Sequence, residues 1–210
     1  MARKPPTTPR KNASQARSRA TVDALIEATA RILVREGFEK TSTNRIAEVA
    51  GVSVGSLYQY FPSKEALVAA VIDRHNDEIM QIVRAAFAEV ADMPVEKAVR
   101  RLVTVAIEAH HIDPNLHRVL AEQIPRSGRL AEVEAFNHEV HALVRAYFES
   151  RRKEMRKIDL DMATFICVSA IEAVAHNTVL HQAGMLSEKT VRTLVDETTR
   201  MVAGYLRPSA

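Results

Sequence analysis

The sequence predicts an all-α fold of about nine helices, in which a three-helix amino-terminal domain with a helix-turn-helix precedes a larger helical domain. Apolar residues recur at intervals of three and four along most of the chain, which is the period of an α-helix. Runs that alternate Val, Ile, Thr and aromatic residues with polar ones, as strands do, are not found in the sequence. Only 6 of the 210 residues are Gly, which also favours helices.

Residues 1–19 are predicted to form a disordered basic arm. They contain six Lys and Arg, three Pro and no acidic residue, with too little apolar surface to fold. Two roles remain open for the arm: a solvated tail, or a segment that contacts the phosphates or the minor groove of DNA. No apolar core follows the charges, so we expect no signal peptide.

The first helix is predicted to start at about Thr21. Its apolar residues fall on one stripe of a 3.6-residue period and are Val22, Leu25, Ile26, Ile32 and Leu33. Gly37 is placed to end this helix, because glycine adopts the left-handed conformation of a helix C-terminus at little cost.

Residues 41–64 are predicted to form two short helices around a tight turn. Ser42 or Thr43 can cap the first helix, and Gly51 ends it. Ser53 caps the second helix, and Pro62 stops it. This pattern is typical of a DNA-binding helix-turn-helix, whose second helix enters the major groove.

The outer surface of this helix pair is predicted to be small, hydrogen-bonding and nearly uncharged. Its residues are Ser42, Thr43, Asn44, Ser53, Gly55, Ser56, Tyr58, Gln59, Tyr60 and Lys64. Between Arg45 and Lys64 the only charged residue is Glu48. Residues 1–65 hold 11 Lys and Arg against 6 Asp and Glu, a net charge of +5, while the remaining residues hold 18 against 20, a net charge of −2. The excess positive charge of residues 1–65 indicates a polyanionic partner for the amino-terminal third of the chain.

Four further helices are predicted at about 63–91, 94–111, 115–123 and 128–152. The first of them begins at Ser63 and, at about 1.5 Å per residue, spans roughly 40 Å, which is long enough to join two domains. Three Pro residues mark the later boundaries: Pro94, Pro114 and Pro125.

The last two helices are predicted at about 160–182 and from Ser187 onward. The first of the two is apolar on nearly all sides, so it needs cover on two faces. A second copy of the chain often supplies such cover in a two-fold dimer, and we therefore expect a homodimer through these two helices. Cys167, the single cysteine, lies in the apolar helix and is predicted to be a buried reduced thiol, with a redox sensor as the alternative.

The segments IAEVAGVS at 46–53 and GSLYQYFPSKEAL at 55–67 resemble the tetracycline-repressor (TetR) family of prokaryotic transcriptional regulators. The resemblance combines the glycine turn, the pair Tyr58 and Tyr60, and the Lys64 that opens the next helix. It implies a homodimer that binds an inverted-repeat operator and leaves it when a small-molecule effector enters the larger domain. Residues 20–66 would be the DNA-binding domain, and residues 67–210 the effector-binding and dimerisation domain.

The resemblance also implies individual DNA contacts. The phosphate contacts would be Ser42, Thr43, Tyr58 and Lys64. The base-facing positions would be Asn44, Gly55 and Tyr60, while Ser56 and Gln59 can serve either purpose. Arg45, Ser53 and Val54 complete the expected DNA-binding set. Asn44 stands where such proteins often carry a longer basic residue, and Gly55 has no side chain to recognise a base, so the base preference stays open.

Polar residues on otherwise apolar helices are the best indicators of an effector site, because their burial requires partners. The candidates are His110, His117, Phe136, Tyr147, Phe165, Ser169, Glu172 and His176. Ser169, Glu172 and His176 fall on one face of the eighth helix, with Phe165 on the same stripe. For each of them, a satisfied core position or a dimer contact is the alternative.

A helical enzyme that uses Glu172 and His176 as acid and base is the competing class of protein. The sequence has no glycine-rich phosphate loop, no Gly-x-Ser-x-Gly elbow and no paired zinc-ligand motif, so we expect no enzyme and no cofactor. Glu134, His138 and His141 have the spacing of metal ligands on one helix face, but we expect a solvated surface and no metal. A ligand-independent regulator and a nonspecific architectural protein are further alternatives.

The expected mechanism depends on the fourth helix. A small tilt near Ile79 would change the spacing of two recognition helices in a dimer, which must match about one helical turn of DNA or a multiple of it. A ligand that prefers the mis-spaced state would lower operator affinity by linkage. We expect a cytoplasmic protein, associated with the nucleoid when bound to DNA and without a membrane partner, because no segment reaches about 20 uncharged apolar residues.

Overall fold

The computed structural model describes residues 16–124, 130–181 and 187–208. This part of the chain contains nine α-helices and no strand, which confirms the predicted all-α fold. The helices are α1 (Ala16–Glu36), α2 (Thr43–Ala50), α3 (Val54–Tyr60), α4 (Lys64–Val90), α5 (Val95–His110), α6 (Pro114–Gln123), α7 (Leu130–Ser150), α8 (Leu160–His181) and α9 (Glu188–Leu206), with a short 3₁₀ helix at Arg152–Glu154. Two compact units are present, formed by the described residues of 1–76 and 115–133, and by those of 77–114 and 134–210.

The first helix begins earlier than predicted. It starts at Ala16 instead of about Thr21, so residues 16–19 of the predicted disordered arm are helical. Ala and Arg dominate this stretch and are good helix formers. The prediction of disorder was based on charge alone and did not include this helix propensity. Residues 1–15 of the predicted arm lie outside the described residues.

The core of the first unit is formed by α1, α2, α3 and the first part of α4. Leu25, Leu33, Ile46, Leu57 and Phe61 are its largest fully buried members, and none of them exposes more than 1% of its surface. Apolar burial of this extent is worth about 1.5–3 kcal/mol for each large side chain. This core therefore holds α2 and α3 firmly against α1.

Helix α6 also belongs to the first unit, although it follows α5 of the second unit in the sequence. Its Leu116 and Leu120 join the same buried cluster as α1. Gln123 accepts a hydrogen bond from the backbone N–H of Phe38 at 3.0 Å. Gly37 has a left-handed φ of 79°, which favours glycine, and a Cβ there would stand 2.8 Å from the Oε1 of Gln123, so the Gln123 side chain would have to shift and give up its hydrogen bond. The predicted domain boundary after residue 66 stays a prediction, while the compact units divide after residue 76, inside α4.

The second unit is organised around α5, which packs against both α8 and α9. Val103, Ile107 and Leu206 are buried at the centre of its core. Arg84 donates two hydrogen bonds to the carboxylate of Glu139, at 2.6 and 2.8 Å, and so joins α4 to α7. The guanidinium lowers the pKa of Glu139, chiefly through these hydrogen bonds.

Within the described residues, α8 is long and apolar enough to cross a membrane by length and composition alone. The segment Leu160–Leu180 has a mean hydropathy of 1.4, and 33% of this window is buried. The segment contains the carboxyl groups of Asp161 and Glu172 and packs within the second unit, and core helices meet the same criterion. The exposed remainder of α8 is an apolar surface that the described residues leave uncovered.

Candidate nucleic-acid interface and internal cavity

The turn between α2 and α3 is built by side chains that cap the two helices. Ser42 caps α2 by accepting from the backbone N–H of Arg45 at 3.3 Å, so it is the one of the two predicted candidates that caps. Gly51 ends α2 with a left-handed φ of 69°. Ser53 caps α3 by accepting from the backbone N–H of Ser56 at 3.1 Å. The predictions for Gly51 and Ser53 are confirmed, and the two helices are joined by a short, defined turn.

Hydroxyl groups are gathered on the outer surface of this helix pair. The exposed members of the predicted set are Ser42, Asn44, Ser53, Val54, Gly55, Tyr58 and Gln59. Thr43 is half-buried, and its Oγ1 lies 3.1 Å from the hydroxyl of Tyr58, which links α2 to α3. Ser53 donates from its hydroxyl to that of Ser56 at 2.9 Å. The surface therefore offers both donors and acceptors, as phosphates and base edges require.

Arg45 is bound to carboxylates of this chain. It donates to Glu48 at 2.9 Å and lies 3.5 Å from Glu36, so it ties α2 to the end of α1. These partners raise the pKa of Arg45, with the hydrogen bond to Glu48 as the largest cause. A contact between Arg45 and DNA would have to exchange these carboxylates for phosphates.

Tyr60 is not placed where the resemblance implies. It is 8% exposed and belongs to the core of the first unit, because position 60 lies on the same face of α3 as the buried Leu57. Its ring is therefore packed inward, and the expected base-facing position is corrected to a core position.

Lys64 has an internal partner that sequence reasoning missed. Its Nζ donates to the backbone carbonyl of Phe38 at 3.0 Å and lies 4.0 Å from the centre of the Phe38 ring. An ammonium has three donors, so the remaining two can still face a phosphate. Lys64 therefore has a structural role in addition to its predicted phosphate contact.

Gly55 lies at the exposed start of α3. Its φ is outside the left-handed region, where the described glycines Gly37 and Gly51 are found. A Cβ added to Gly55 would meet only the hydroxyl of Ser53, at an ordinary 3.9 Å. Neither backbone conformation nor packing requires glycine here. Its effect is to leave the backbone of α3 open to a partner outside the chain.

The second unit contains a cavity of about 100 Å³. Apolar side chains form most of its wall, among them Ile79, Val83, Phe87, Leu102, Val144 and Phe148. Four of the predicted effector-binding residues also line it, and these are His110, Phe136, Tyr147 and Glu172. The helices α4, α5, α7 and α8 bring these four residues and the apolar wall together.

Two predicted effector-binding residues of α8 face away from the cavity. Phe165 is 59% exposed, and Ser169 is also exposed. The side of α8 that faces the cavity runs through Cys167, Val168 and Ile171 instead. Because α8 is apolar on nearly all sides, its sequence pattern does not distinguish the two faces.

The other two candidates, His176 and His117, also lie outside the lining of the cavity. His176 packs edge-on against His110, with 6.2 Å between the ring centres. His117 belongs to the first unit, where its Nδ1 lies 3.4 Å from the Nε2 of His75. His176 therefore contacts His110 without lining the cavity itself. His117 helps to hold α6 against α4.

The three residues considered as metal ligands lie on α7. Glu134 and His138 are exposed. His141 is half-buried, and its Nδ1 lies 2.8 Å from the backbone carbonyl of Asn137 in the same helix. These positions are typical of a solvated helix face.

Burial raises the pKa of two polar groups that line the cavity. The hydroxyl of Tyr147 donates to the backbone carbonyl of Met93 at 2.9 Å, and burial raises its pKa to about 12. Burial also raises the pKa of the Cys167 thiol to about 12. Cys167 is free and buried, as the sequence predicted.

Family models match both parts of the chain. The model for bacterial regulatory proteins of the tetR family matches residues 25–71. The model for the tetracyclin repressor-like C-terminal domain matches residues 94–206. The second match alone covers more than half of the 210 residues.

Curated relatives match over less than half of their length. The nucleoid occlusion factor SlmA of Haemophilus ducreyi is 31% identical over 85 residues, which is 40% of this chain and 41% of that protein. The HTH-type transcriptional activator FasR of Mycolicibacterium smegmatis is 35% identical over 85 residues, which is 40% of this chain and 36% of that protein. The chain thus spans about two fifths of the length of these relatives.

Solved structures match over nearly the whole chain. The fatty acid degradation regulator FadR from Bacillus halodurans has a TM-score of 0.70 at 19% identity, covering 89% of this chain and 96% of that one. A transcriptional regulator of the TetR/AcrR family from Thermobifida fusca has a TM-score of 0.66 at 20% identity, covering 89% and 98%. At these identities the likeness shows the fold alone. Together with the two family models, it establishes that the chain belongs to the tetracycline-repressor (TetR) family of bacterial regulatory proteins.

Proposed function

We propose that this chain is a sequence-specific DNA-binding transcriptional regulator, and that it is a homodimeric repressor released from an inverted-repeat operator by a small molecule. The observation that carries the proposal is the exposed face of α2 and α3. This face is rich in hydroxyl and amide groups, has little charge, and leaves the backbone open at Gly55. Such a surface suits close contact with phosphates and base edges in the major groove.

The homodimer is proposed to form through α8 and α9. Met162, Phe165 and Met201 are large apolar side chains with 55%, 59% and 51% of their surface exposed. A Cβ added to Gly204 of α9 would meet nothing within 4 Å, so this position allows another backbone to approach closely. Exposed apolar groups on two packed helices are typical of an interaction surface. A second copy would cover the apolar face of α8.

Coupling between effector and operator is proposed to run along α4. Ile79, Val83 and Phe87 of this helix line the cavity, while Leu67 and Val71 of the same helix lie in the core of the first unit. An effector that displaces the later part of α4 would therefore act on the unit that carries α3. By linkage, an effector that prefers the mis-spaced dimer lowers operator affinity. We expect the protein to work in the cytoplasm, on the nucleoid when it is bound to DNA.

The enzyme alternative has less support. This alternative uses Glu172 and His176 as acid and base, but only Glu172 lines the cavity. An enzyme would also leave the hydrogen-bonding face of α2 and α3 without a function. Turnover of a small molecule by a protein that binds no DNA would favour that alternative.

Selection of bound sequences from a random DNA pool tests the proposal. We expect an inverted repeat whose half-sites are separated by about one helical turn or a multiple of it. A single unpaired half-site would contradict the homodimer. A pool without any preferred sequence would indicate nonspecific architectural binding and would overturn the proposal.

A further inference from the structure

The wall of the cavity in the second unit is almost wholly apolar. Five helices contribute aliphatic or aromatic side chains to it, and these include Ile79 of α4, Leu102 of α5, Val144 of α7, Ile171 of α8 and Val202 of α9. All of the lining residues belong to the second unit, so the cavity is complete within one compact unit. The chemistry of its ligand can therefore be inferred from this unit alone.

Two polar side chains of the lining have partners within the protein. The hydroxyl of Tyr147 donates its hydrogen to the backbone carbonyl of Met93 at 2.9 Å. The Nδ1 of His110 lies 2.7 Å from the backbone carbonyl of Ala106, and its ring packs edge-on against His176, which does not line the cavity. Both side chains thus have interactions that do not depend on a ligand.

Glu172 and Cys167 are the other ionisable residues of the lining. Burial raises the pKa of Glu172, and the charge interactions that act in the opposite direction are with His176 and His141, neither of which lines the cavity. Burial also raises the pKa of Cys167 to about 12, so very little of this thiol is ionised at pH 7. A neutral thiol behaves as a small apolar group. The lining therefore offers a ligand mainly carbon surface.

A cavity with such a wall suits neither water nor a charged ligand. A buried water needs two to four polar partners, so cavities lined by apolar side chains stay dry. A charged group that entered would lose its hydration without gaining a partner. An apolar molecule, in contrast, leaves water and gains dispersion contacts with the wall.

We propose that the cavity binds a small neutral apolar molecule, such as a short hydrocarbon chain or a single unsubstituted ring, which is held by packing against the wall. This inference rests on the proposed function, because it names the chemical class of the effector. The volume limits the size of that molecule. An engineered cavity of about 150 Å³ holds benzene, so about 100 Å³ suits a ring of that size or smaller.

Thiophene, pyrrole and imidazole are suitable probes, because these five-membered rings differ more in polarity than in size. Thiophene has no strong hydrogen-bonding group, pyrrole has one N–H donor, and imidazole has a donor and an acceptor. Thermal melting of the full chain in rising concentrations of each probe gives the dissociation constants, since a ligand of the folded state raises the melting temperature. We expect thiophene to bind about tenfold or more tightly than pyrrole, and imidazole to bind most weakly, because burial of an unpaired polar group is unfavourable.

Substitutions in the wall test whether the probes occupy this cavity. Ala106→Leu fills the cavity and should weaken thiophene binding about tenfold or more. Ala88→Leu is the matched control at an exposed position of α4 outside the lining, and it should leave thiophene binding unchanged. Val144→Ala enlarges the cavity and should strengthen the binding of toluene, a larger ring, so the location can be tested even if Ala106→Leu folds poorly. Circular dichroism checks that the variants remain helical.

Three outcomes would overturn the inference: pyrrole or imidazole binding as tightly as thiophene, wall substitutions that change the binding of no probe, or no binding of any probe to the unaltered chain. Each of them leaves the DNA-selection result untouched. Conversely, a preference for thiophene in a protein that selects no DNA sequence would overturn the proposed function and leave the inference about the cavity intact.

Discussion

Gly55 is proposed to favour the approach of a partner over the stability of its own helix. Glycine inside a helix is less stable than alanine by about 0.5–1 kcal/mol, and the chain has no packing reason for it at this position. The residue is therefore better explained by what approaches α3 from outside. A substitution at Gly55 should therefore change DNA affinity and folding stability in opposite directions.

We predict that Gly55→Ala stabilises the protein and impairs its binding to DNA. The free energy of unfolding should rise by about 0.5–1 kcal/mol, whereas affinity for the selected operator should fall at least tenfold, because the new methyl group occupies the gap between backbone and DNA. Thermal melting and fluorescence anisotropy measure the two effects. An unchanged operator affinity would show that the backbone at Gly55 does not approach DNA.

Lys64 should contribute to both folding and DNA binding. Lys64→Ala removes the hydrogen bond to Phe38 and the contact with its ring, so we expect a loss of about 1 kcal/mol in the free energy of unfolding. Affinity for all DNA sequences should fall. The slope of log affinity against log salt concentration should become shallower by about the amount expected for one phosphate contact. Gln59→Ala is the control, and it should alter base preference without lowering stability. If Lys64→Ala left the dependence of DNA affinity on salt unchanged, Lys64 would contact no phosphate and would have only its structural role.

Glu172 makes stability depend on pH in a direction that its raised pKa determines. The folded protein keeps this proton to a higher pH than the unfolded chain does, so stability falls as the pH rises from about the ordinary value of 4.5 through the raised one. Glu172→Gln cannot ionise, and it should therefore raise the melting temperature more at pH 7 than at pH 4. Glu188→Gln should show no such difference. A lower melting temperature of Glu172→Gln at pH 7 would mean that the carboxylate has a stabilising partner.

At the scale of elements, α6 and α4 together hold the connection that follows α1. Gln123 of α6 accepts from the N–H of Phe38, and Lys64 of α4 donates to the carbonyl of the same residue. Both backbone groups of Phe38 are thus satisfied by side chains that lie far away in the sequence. The connection that leads into α2 and α3 therefore depends on a helix from the middle of the chain.

We predict that Gln123→Ala weakens this connection. The lost hydrogen bond leaves the N–H of Phe38 without its acceptor, so the free energy of unfolding should fall by about 1 kcal/mol. Operator affinity should fall as well, because α2 begins a few residues later. The neighbouring Glu122 is exposed, and Glu122→Ala should change neither quantity. Equal effects of the two substitutions on melting and on DNA binding would contradict the role of Gln123.

At the scale of the whole molecule, the exposed apolar face of α8 should determine the oligomeric state. Phe165→Glu places a charge at the centre of this face and should convert the dimer into a monomer with weak operator binding. Ile112→Glu is a matched control, because Ile112 is 50% exposed but lies outside α8 and α9. Light scattering coupled to size exclusion measures the mass of both variants. A dimeric Phe165→Glu would contradict the proposed interface.

Local signals made most of the fold predictable. The capping residues Ser53 and Gly51 and the apolar stripes are short-range features, and they placed most helix ends within one or two residues. The position of α6 in the first unit was not predictable, because Leu116 and Leu120 indicate a buried face without saying which helices bury it. The exposure of Phe165 was not predictable either. Because α8 is apolar on nearly all sides, its sequence does not show which face is buried. Lys64 and Phe38 are 26 residues apart, and no local rule connects them.

The buried thiol of Cys167 makes the protein well suited to site-directed spin labelling. Burial raises the pKa of this thiol to about 12, so very little of it is ionised at pH 7, and the thiolate is the form that reacts with labelling reagents. As this is the single cysteine of the chain, a Gln59→Cys substitution would take the label without removing the native residue. Pulsed electron resonance would then measure the distance between the two α3 helices of a dimer directly, in solution, before and after a ligand is added.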